Sequence, residues 1–240
     1  MDEITQIEQN LAEVKAKIDR AISSSGRAAG CVKLVVVTKR KSIAVVQELV
    51  RLGITEFGEN YPEEALEKIT SFEVVPGNIH WHMIGSVQSR KVNILADHFS
   101  MIHSIDRYSV AVKLNESMKT VGKVMPVLLQ FNVSGEQSKS GWAAWESKTW
   151  AALSRELKQF CTLEYVRVLG LMTIPPFSET AENSRPYYQK LKQLQEYLQF
   201  QVPELSWNEF SIGTSFDFEV AIQEGATLIR VGEAILGKRS

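Results

Sequence analysis

The sequence is poor in several features that mark specialised protein classes. Only two of its 240 residues are cysteine, Cys31 and Cys161, and each lies beside an apolar run. This count excludes a disulfide framework and predicts reduced, buried thiols, as in a cytoplasmic protein; one Cys31–Cys161 disulfide is the less favoured alternative. Neither charge sign dominates, since the chain has 27 Lys and Arg residues and 28 Asp and Glu residues. The balance argues against nucleic-acid or anionic-membrane binding.

Long apolar runs and linkers are also absent. No stretch approaches about 18 uninterrupted apolar residues, which argues against a transmembrane helix. Asp2 and Glu3 open the chain without a following apolar segment, so we expect no secretory signal. No Pro-, Gly- or Ser-rich segment divides the sequence, and 44% hydrophobic with 23% charged residues is typical of a globular protein. We therefore expect one domain.

Residues 2–25 have the apolar spacing of an amphipathic helix. Steps of three and four place the apolar residues on one helical face. These residues are Ile4, Ile7, Leu11, Val14, Ile18 and Ala21. We expect residues 1–30 to form a helix packed on a body formed by residues 31–240. A dimerising coiled coil is the alternative, although the pattern covers only about three heptads.

From residue 32 onward, short β-branched runs alternate with helical stretches. Such alternation predicts parallel strands, because parallel connections are long enough to hold a helix. The predicted strands are 32–38, 54–58, 79–84, 101–105, 124–133, 165–174, 209–212 and 227–231. The predicted helices are 42–52, 61–72, 87–95, 107–119, 145–160, 182–200 and 215–224. Eight such units predict an α/β protein with a single (β/α)8 TIM barrel; an open doubly wound sheet is the alternative.

Polar residues cluster where the predicted strands end, which is where such barrels place their functional sites. Lys39 follows the first strand, with only Thr38 between. Burial at this place would favour the neutral amine, which is the form that attacks an aldehyde. Lys39 is therefore a candidate for Schiff base formation. Spacing alone favours the alternative, a solvated basic turn of Lys39, Arg40 and Lys41.

The ends of the last two predicted strands indicate an anion site. Ser215 is placed to cap a helix over 215–224, whose first N–H groups would bind phosphate. Gly232 follows the last strand, where a glycine lets the backbone approach a ligand closely. This pair of loops is a frequent phosphate site in barrels. Plain helix capping by Ser215 is the alternative.

Arg230 and the histidines allow two interpretations each. Arg230 lies inside an apolar strand, so its charge needs a partner. That partner is either a carboxylate, such as Glu56 or Glu59, or a ring nitrogen or phosphate of a ligand. His80 and His82 share one strand face, but no third metal ligand follows at a diagnostic spacing. Hydrogen bonding in the core is therefore preferred to a metal site.

Ordered segments over nearly the whole chain resemble one family, the YggS/PROSC pyridoxal 5′-phosphate (PLP) homeostasis proteins. The segments are 36–39, 57–61, 81–85, 138–141, 170–175, 211–217 and 225–237. The resemblance implies a single (β/α)8 barrel with an extra N-terminal helix, similar to the N-terminal domain of alanine racemase. Ser42, Ser86, Arg90 and Thr214 depart from the family pattern, and none of them removes an implied ligand contact.

The resemblance also implies a cofactor site for PLP, with no metal and no catalytic residue. The implied cofactor-binding residues are Lys39, Asn60, Ser211, Ser215, Arg230, Gly232 and Glu233. In the implied PLP site, Lys39 forms the Schiff base, Asn60 lies beside the cofactor, and Arg230 faces the pyridine nitrogen. The phosphate cradle comprises Ser215 and the backbone of residues 232–233. Because arginine stays protonated, it cannot give the ring a proton, which disfavours carbanion chemistry.

The resemblance implies a cytoplasmic, non-catalytic protein of PLP homeostasis that holds PLP reversibly. It further implies a monomer whose partners are PLP-dependent apoenzymes or a regulatory protein, with no nucleic acid or membrane. In racemases the opposing base comes from a second domain, which we expect to be missing because the chain ends at Ser240. The main alternative is a weak PLP-dependent racemase or lyase with Tyr61 or His82 as base. A class I aldolase and a ligand-sensing interaction protein also remain open.

Overall fold

The computed structural model describes residues 3–72 and 79–237. The strands are β1 Lys33–Val37, β2 Glu56–Glu59, β3 His80–Met83, β4 Met101–Ile105, β5 Met125–Asn132, β6 Trp142–Ala143, β7 Val166–Met172, β8 Glu209–Thr214 and β9 Leu228–Val231. The α-helices are α1 Glu3–Ser24, α2 Ile43–Arg51, α3 Pro62–Ser71, α4 Val92–His98, α5 Tyr108–Val121, α6 Trp150–Leu157, α7 Arg185–Gln201, α8 Phe218–Gln223 and α9 Glu233–Leu236. Short 3-10 helices cover Ser89–Lys91, Ser147–Thr149, Lys158–Thr162 and Ala181–Ser184.

Eight strands close into a parallel barrel. They pair in the order β1-β2-β3-β4-β5-β7-β8-β9, and β9 pairs with β1. Each barrel strand is followed by a helix, so the predicted (β/α)8 architecture is confirmed. The two-residue strand β6 pairs with the end of β5 and was not predicted. Two residues are too few to show the alternating pattern of a strand.

The barrel strands bury both faces. Their outward residues pack under the helices in one large apolar core. Val35, Leu128, Met172 and Leu228 form a separate small cluster from strands on opposite sides of the barrel, and this cluster fills part of the interior. A filled barrel is a packed core rather than a pore. Within the barrel, a ligand therefore has room at an open end and not in the middle.

Helix α1 packs against α8 and α9. Its apolar face is buried at Ile7, Leu11 and residues further along the helix. Ile4 belongs to the same face, but it is half exposed. The side-chain amide of Asn10 donates to the carbonyl of Ile235 at 3.0 Å. The helix thus lies against the two elements that follow the predicted anion loops. The division of the chain near residue 30 stays a prediction.

The cysteine prediction is partly wrong. Both thiols are free, which rules out the Cys31–Cys161 disulfide. Cys31 is partly buried, but Cys161 is exposed. It lies in the 3-10 helix Lys158–Thr162, where Phe160 is the residue that turns into the core. Among the residues that the structure describes, no helix is long and apolar enough to cross a membrane.

Candidate ligand-binding site

A cavity of about 270 Å³ opens at the carboxyl ends of the barrel strands. Its lining residues are Val37, Lys39, Asn60, Ile84, Ile174, Thr214, Ser215, Phe216, Arg230, Gly232 and Glu233. Six of the seven residues predicted for the site are among them, and Ser211 is not. Residues distant in sequence meet here because all parallel strands end at the same rim.

Lys39 lies in a four-residue turn directly after β1. The Lys41 N–H donates to the Thr38 carbonyl at 3.0 Å and closes the turn. Lys39 is partly buried and lines the cavity, whereas Arg40 is exposed. The Lys41 amine donates to the carbonyl of Leu236 at 2.9 Å. Only one of the three basic residues is therefore exposed, which contradicts the wholly solvated basic turn.

Asn60 follows β2 and brings an unmatched acceptor to the cavity. Its side-chain oxygen Oδ1 is buried and has no hydrogen-bond partner. The loop is held from beneath by Gly85, since any side chain at that position would collide with the Asn60 backbone. The Ser104 hydroxyl donates to the Gly85 carbonyl at 2.5 Å and keeps this contact in place. A buried acceptor without a donor suits a ligand that supplies one.

The loop after β8 differs from the prediction. Helix α8 begins at Phe218, so Ser215 does not cap it. Asp217 causes the delay: its Oδ1 accepts from the Thr214 N–H at 2.7 Å and from the Thr214 hydroxyl at 2.9 Å. The Tyr188 hydroxyl donates to Oδ2 of the same carboxylate at 2.5 Å. Residues 214–217 therefore stay a turn, and the argument from an anion-binding N-terminus of this helix is wrong.

Ser215 instead joins the two last loops of the barrel. Its hydroxyl accepts from the N–H groups of Gly232 and Ala234, both at 3.1 Å. These N–H groups open the short helix α9, so the capping hydroxyl comes from another loop. The side chain of Glu233 is exposed, which leaves its backbone as the part suited to an anion. The structure thus brings the implied cradle residues together by a contact that sequence did not predict.

Arg230 is buried and bonds to uncharged groups. Its Nη1 donates to the carbonyl and the hydroxyl of Ser211 at 2.7 and 2.5 Å, and its Nη2 donates to the Thr173 carbonyl at 3.0 Å. The predicted carboxylate partners are wrong. Glu56 bonds to His82 and Glu59 bonds to Lys68, so both are engaged elsewhere. Ser211 therefore relates to the cavity through Arg230 and not directly.

A chain of hydrogen bonds runs from Arg230 through the barrel interior. Ser211 Oγ lies 2.9 Å from His103 Nδ1, His103 Nε2 lies 2.9 Å from His82 Nδ1, and His82 Nε2 lies 2.6 Å from Glu56 Oε2. Arginine can only donate and the ionised Glu56 carboxylate can only accept, so the donations run from Arg230 through the Ser211 hydroxyl and the two rings toward Glu56. Each histidine then donates onward, and the chain ends on the Glu56 carboxylate. The geometry thereby assigns the Nε2–H tautomer to both rings.

Burial explains the ionisation of this chain. The fully buried His103 has a pKa well below its ordinary value, because burial, together with the nearby charge of Arg230, disfavours the imidazolium. Burial also lowers the pKa of Arg230, against the effect of Asp217, and the guanidinium remains a cation. For Glu56, burial opposes ionisation, but the hydrogen bond from His82 and the charge of Lys33 outweigh it and lower the pKa.

His82 makes the core hydrogen bonds that the sequence predicted. The role of His103 was missed, although its place on β4 opposite β3 is a consequence of strand order. The apolar cavity walls Ile84, Ile174 and Phe216 were also missed. The available signal was their position, since Ile84 and Ile174 end predicted strands and Phe216 follows one. No group of three or more His, Cys, Asp or Glu residues within 3–72 and 79–237 is arranged to hold a metal ion.

Comparison with known proteins matches nearly the whole chain. A family model described as the alanine racemase N-terminal domain covers residues 5–240. The chain is 39% identical over 238 residues to the pyridoxal phosphate homeostasis protein of Pseudomonas aeruginosa, covering 98% of this chain and 97% of that protein. The corresponding protein of Aquifex aeolicus is 36% identical over 231 residues, covering 96% and 97%. The chain belongs to the pyridoxal phosphate homeostasis protein family.

Solved structures agree with this family membership. PipY of Synechococcus elongatus, solved with PLP bound, has a TM-score of 0.82 at 31% identity and covers 96% of this chain and all of its own. Alanine racemase of Clostridium difficile shows the same fold, with a TM-score of 0.71 at 15% identity over 57% of its own length. The family resemblance and the barrel predicted from the sequence are thereby confirmed.

Proposed function

We propose that this protein binds PLP in the rim cavity, holds it reversibly on Lys39 and serves PLP homeostasis. The observation that carries the proposal is the meeting of Lys39, Asn60, Arg230 and the Ser215–Gly232 contact around one cavity. The names of the relatives and the PLP-bound PipY structure support it.

The residues present fit a molecule with an aldehyde, a pyridine ring and a phosphate. Arg230 brings a cationic group to the cavity, which suits an anionic ligand, Lys39 brings an amine, and Asn60 Oδ1 offers an unmatched acceptor. When bound, PLP supplies the aldehyde. The neutral Lys39 amine adds to the aldehyde carbon, a C=N bond forms, and the aldehyde oxygen leaves as water. Water reverses the step, so the link is a means of storage and release.

The surroundings favour holding PLP over catalysing a reaction with it. A racemase or lyase needs a second base beside the cofactor. Both ring nitrogens of His82 are engaged, with His103 and Glu56, and His82 does not line the cavity. The Tyr61 ring is exposed and also lies outside the lining. Of the two bases considered from the sequence, neither is placed for proton transfer.

The remaining parts of the proposal concern setting and partners. A protein that binds PLP without using it in catalysis can supply PLP to other proteins. We place the protein in the cytoplasm as a monomer that exchanges PLP with PLP-dependent apoenzymes or a regulatory protein. A pull-down from lysate with and without added PLP tests this part.

Borohydride reduction of the PLP-loaded protein, followed by peptide mass mapping, tests the site. We expect the pyridoxyl group on Lys39, and none on Lys39→Ala. Lys139, whose amine donates to the Pro175 carbonyl at 3.1 Å, is the informative competitor. Modification there instead of at Lys39 would overturn the assignment. Amino-acid racemisation or cleavage that is lost in Lys39→Ala would favour the enzyme over the holder.

A further inference from the structure

A buried ionic cluster lies behind the Lys39 turn, outside the cavity described above. It consists of Lys68, Glu59 and Glu64, and we name it the Lys68 cluster. The Lys68 side chain is 4% exposed, and its amine donates to Glu59 Oε1 at 2.8 Å, to Glu64 Oε1 at 2.7 Å and to the Thr38 carbonyl at 2.7 Å. These three bonds use all three ammonium protons. Because every proton of this buried ammonium is bonded, Lys68 fixes the positions of the three groups that it contacts.

The turn that this cluster touches has an unfavourable backbone conformation. Arg40 has a φ of 60°, the only positive φ at a residue other than glycine in the part of the chain that the structure describes. In this left-handed region the Cβ of an ordinary residue is crowded by the backbone, so turns that need it usually place glycine or asparagine there. Surrounding contacts must therefore hold Arg40 in place.

The cluster holds the turn on both sides of Lys39. Before Lys39, Thr38 is tied through its carbonyl to Lys68 and through its hydroxyl, at 2.7 Å, to Glu59 Oε1. After Lys39, the Arg40 N–H donates to Glu64 Oε1. The two residues that flank Lys39 are thus anchored to one ion cluster, whose members lie at the end of β2 and on α3.

We infer that the Lys68 cluster positions Lys39: it holds the turn in its left-handed conformation and thereby keeps the Lys39 amine at the cavity. Lys68, Glu59 and Glu64 are positioning residues that do not touch the ligand, since none of them lines the cavity. The inference rests on the proposed function of Lys39 as the residue that links PLP.

The test starts with Glu64→Ala, which removes the acceptor of the Arg40 N–H. We expect the apparent affinity for PLP, measured from the absorbance of the Lys39 link, to fall about tenfold. The matched control is Glu67→Ala, which removes an exposed carboxylate from the same helix and should bind PLP within about twofold of the original protein.

Rescue by a second substitution separates positioning from a general structural role. Arg40→Gly in the Glu64→Ala background lets residue 40 adopt the left-handed conformation without steric cost. We expect the double variant to recover affinity to within about threefold of the Arg40→Gly single variant. The Arg40→Gly single variant is the reference because it also loses the contact between the Arg40 guanidinium and the Tyr61 ring. In the original protein the guanidinium carbon lies 5.8 Å from the centre of that ring. A double variant as weak as Glu64→Ala contradicts the inference.

A measurement without PLP distinguishes failure of this inference from failure of the proposed function. Without PLP, amide hydrogen exchange at Arg40 and Lys41 should be faster in Glu64→Ala and unchanged in Glu67→Ala. If borohydride traps PLP away from Lys39 in the original protein, the proposed function fails. If PLP is on Lys39 but Glu64→Ala binds and exchanges like the original, only the inference fails. If Glu64→Ala does not fold, PLP binding is measured on the double variant with Arg40→Gly instead. A double variant that does not fold or does not bind PLP also overturns the inference.

Discussion

Arg230 meets only neutral acceptors in the described structure, although it is a buried cation. Two backbone carbonyls and the Ser211 hydroxyl satisfy its donors, and the resulting chain leads to Glu56. Hydrogen bonds to a guanidinium are strong, but they do not neutralise its charge. The charge is thus available to a ligand in the cavity that Arg230 lines.

Replacing Arg230 by Gln is expected to weaken PLP retention without unfolding the barrel. Gln retains an amide NH2 group that can donate to the Ser211 acceptors, and it removes the charge that faces the cavity. Equilibrium dialysis of PLP, together with far-UV circular dichroism, measures both properties. Aggregation of the variant would show instead that Arg230 is a structural residue.

His103 makes the stability of the protein depend on pH. Its pKa is lowered by burial, so below about pH 6.5 the unfolded chain binds a proton that the native state does not. Native stability therefore falls as the pH falls, by about 1.4 kcal/mol per pH unit for one proton. Between pH 7.5 and 5.5, the free energy of unfolding in urea should drop by about 1.4 kcal/mol more than in His103→Gln.

The control for this measurement is another histidine. His98→Gln changes a partly exposed residue at the end of α4, and the pH dependence should persist in that variant. Equal pH slopes in the original protein and in His103→Gln would show that His103 is not the group responsible.

At the scale of elements, α1 is an addition to the barrel units that stabilises the side of the molecule behind the last two loops. It packs on α8 and α9, and these helices follow the Ser215 and Gly232 loops. Only one face of α1 is apolar, so the helix gains most of its stability from this packing and not from helix propensity.

Leu11→Ala is expected to lower the free energy of unfolding by about 2–5 kcal/mol, because it leaves a cavity under α1. Leu11 is 3% exposed and belongs to the main core. Urea denaturation followed by tryptophan fluorescence measures the effect. Glu13→Ala, on the exposed face of the same helix, should change the value by less than about 0.5 kcal/mol. Similar effects of both substitutions would mean that the α1 packing contributes little.

At the scale of the whole molecule, ligand binding and stability are linked. PLP binds the folded barrel, where the strand ends meet, and the unfolded chain has no such site. At a PLP concentration about 100 times the dissociation constant, the native state should gain about 2.7 kcal/mol. For a protein of this length, that gain raises the melting temperature by roughly 5–10 °C.

A thermal shift series with PLP measures this gain, and Lys39→Ala should lose most of it. Pyridoxal without phosphate is the matched ligand control and should shift the melting temperature less. An unchanged melting temperature at saturating PLP in the original protein would contradict binding to the native state.

The order of the elements was predictable because each is a local pattern. Apolar steps of three and four and short β-branched runs indicated α1 and the eight barrel strands within a few residues. The Lys39 and Gly232 positions followed from the same patterns, since strand ends meet at one rim. The patterns placed the start of α8 three residues early because they contain no information on Asp217, which bonds Thr214 and delays the helix.

The sequence by itself therefore determined the barrel, its family and the residues gathered at its rim, because these follow from periodicity and ordered motifs. Only the tertiary structure decided which polar groups pair. It assigned Arg230 to Ser211 instead of a carboxylate, Ser215 to the α9 N–H groups, and Lys68 to the Lys39 turn. Such pairings join residues 17 to 30 positions apart, and they depend on the distances and angles between side chains in the folded barrel, which no local pattern records.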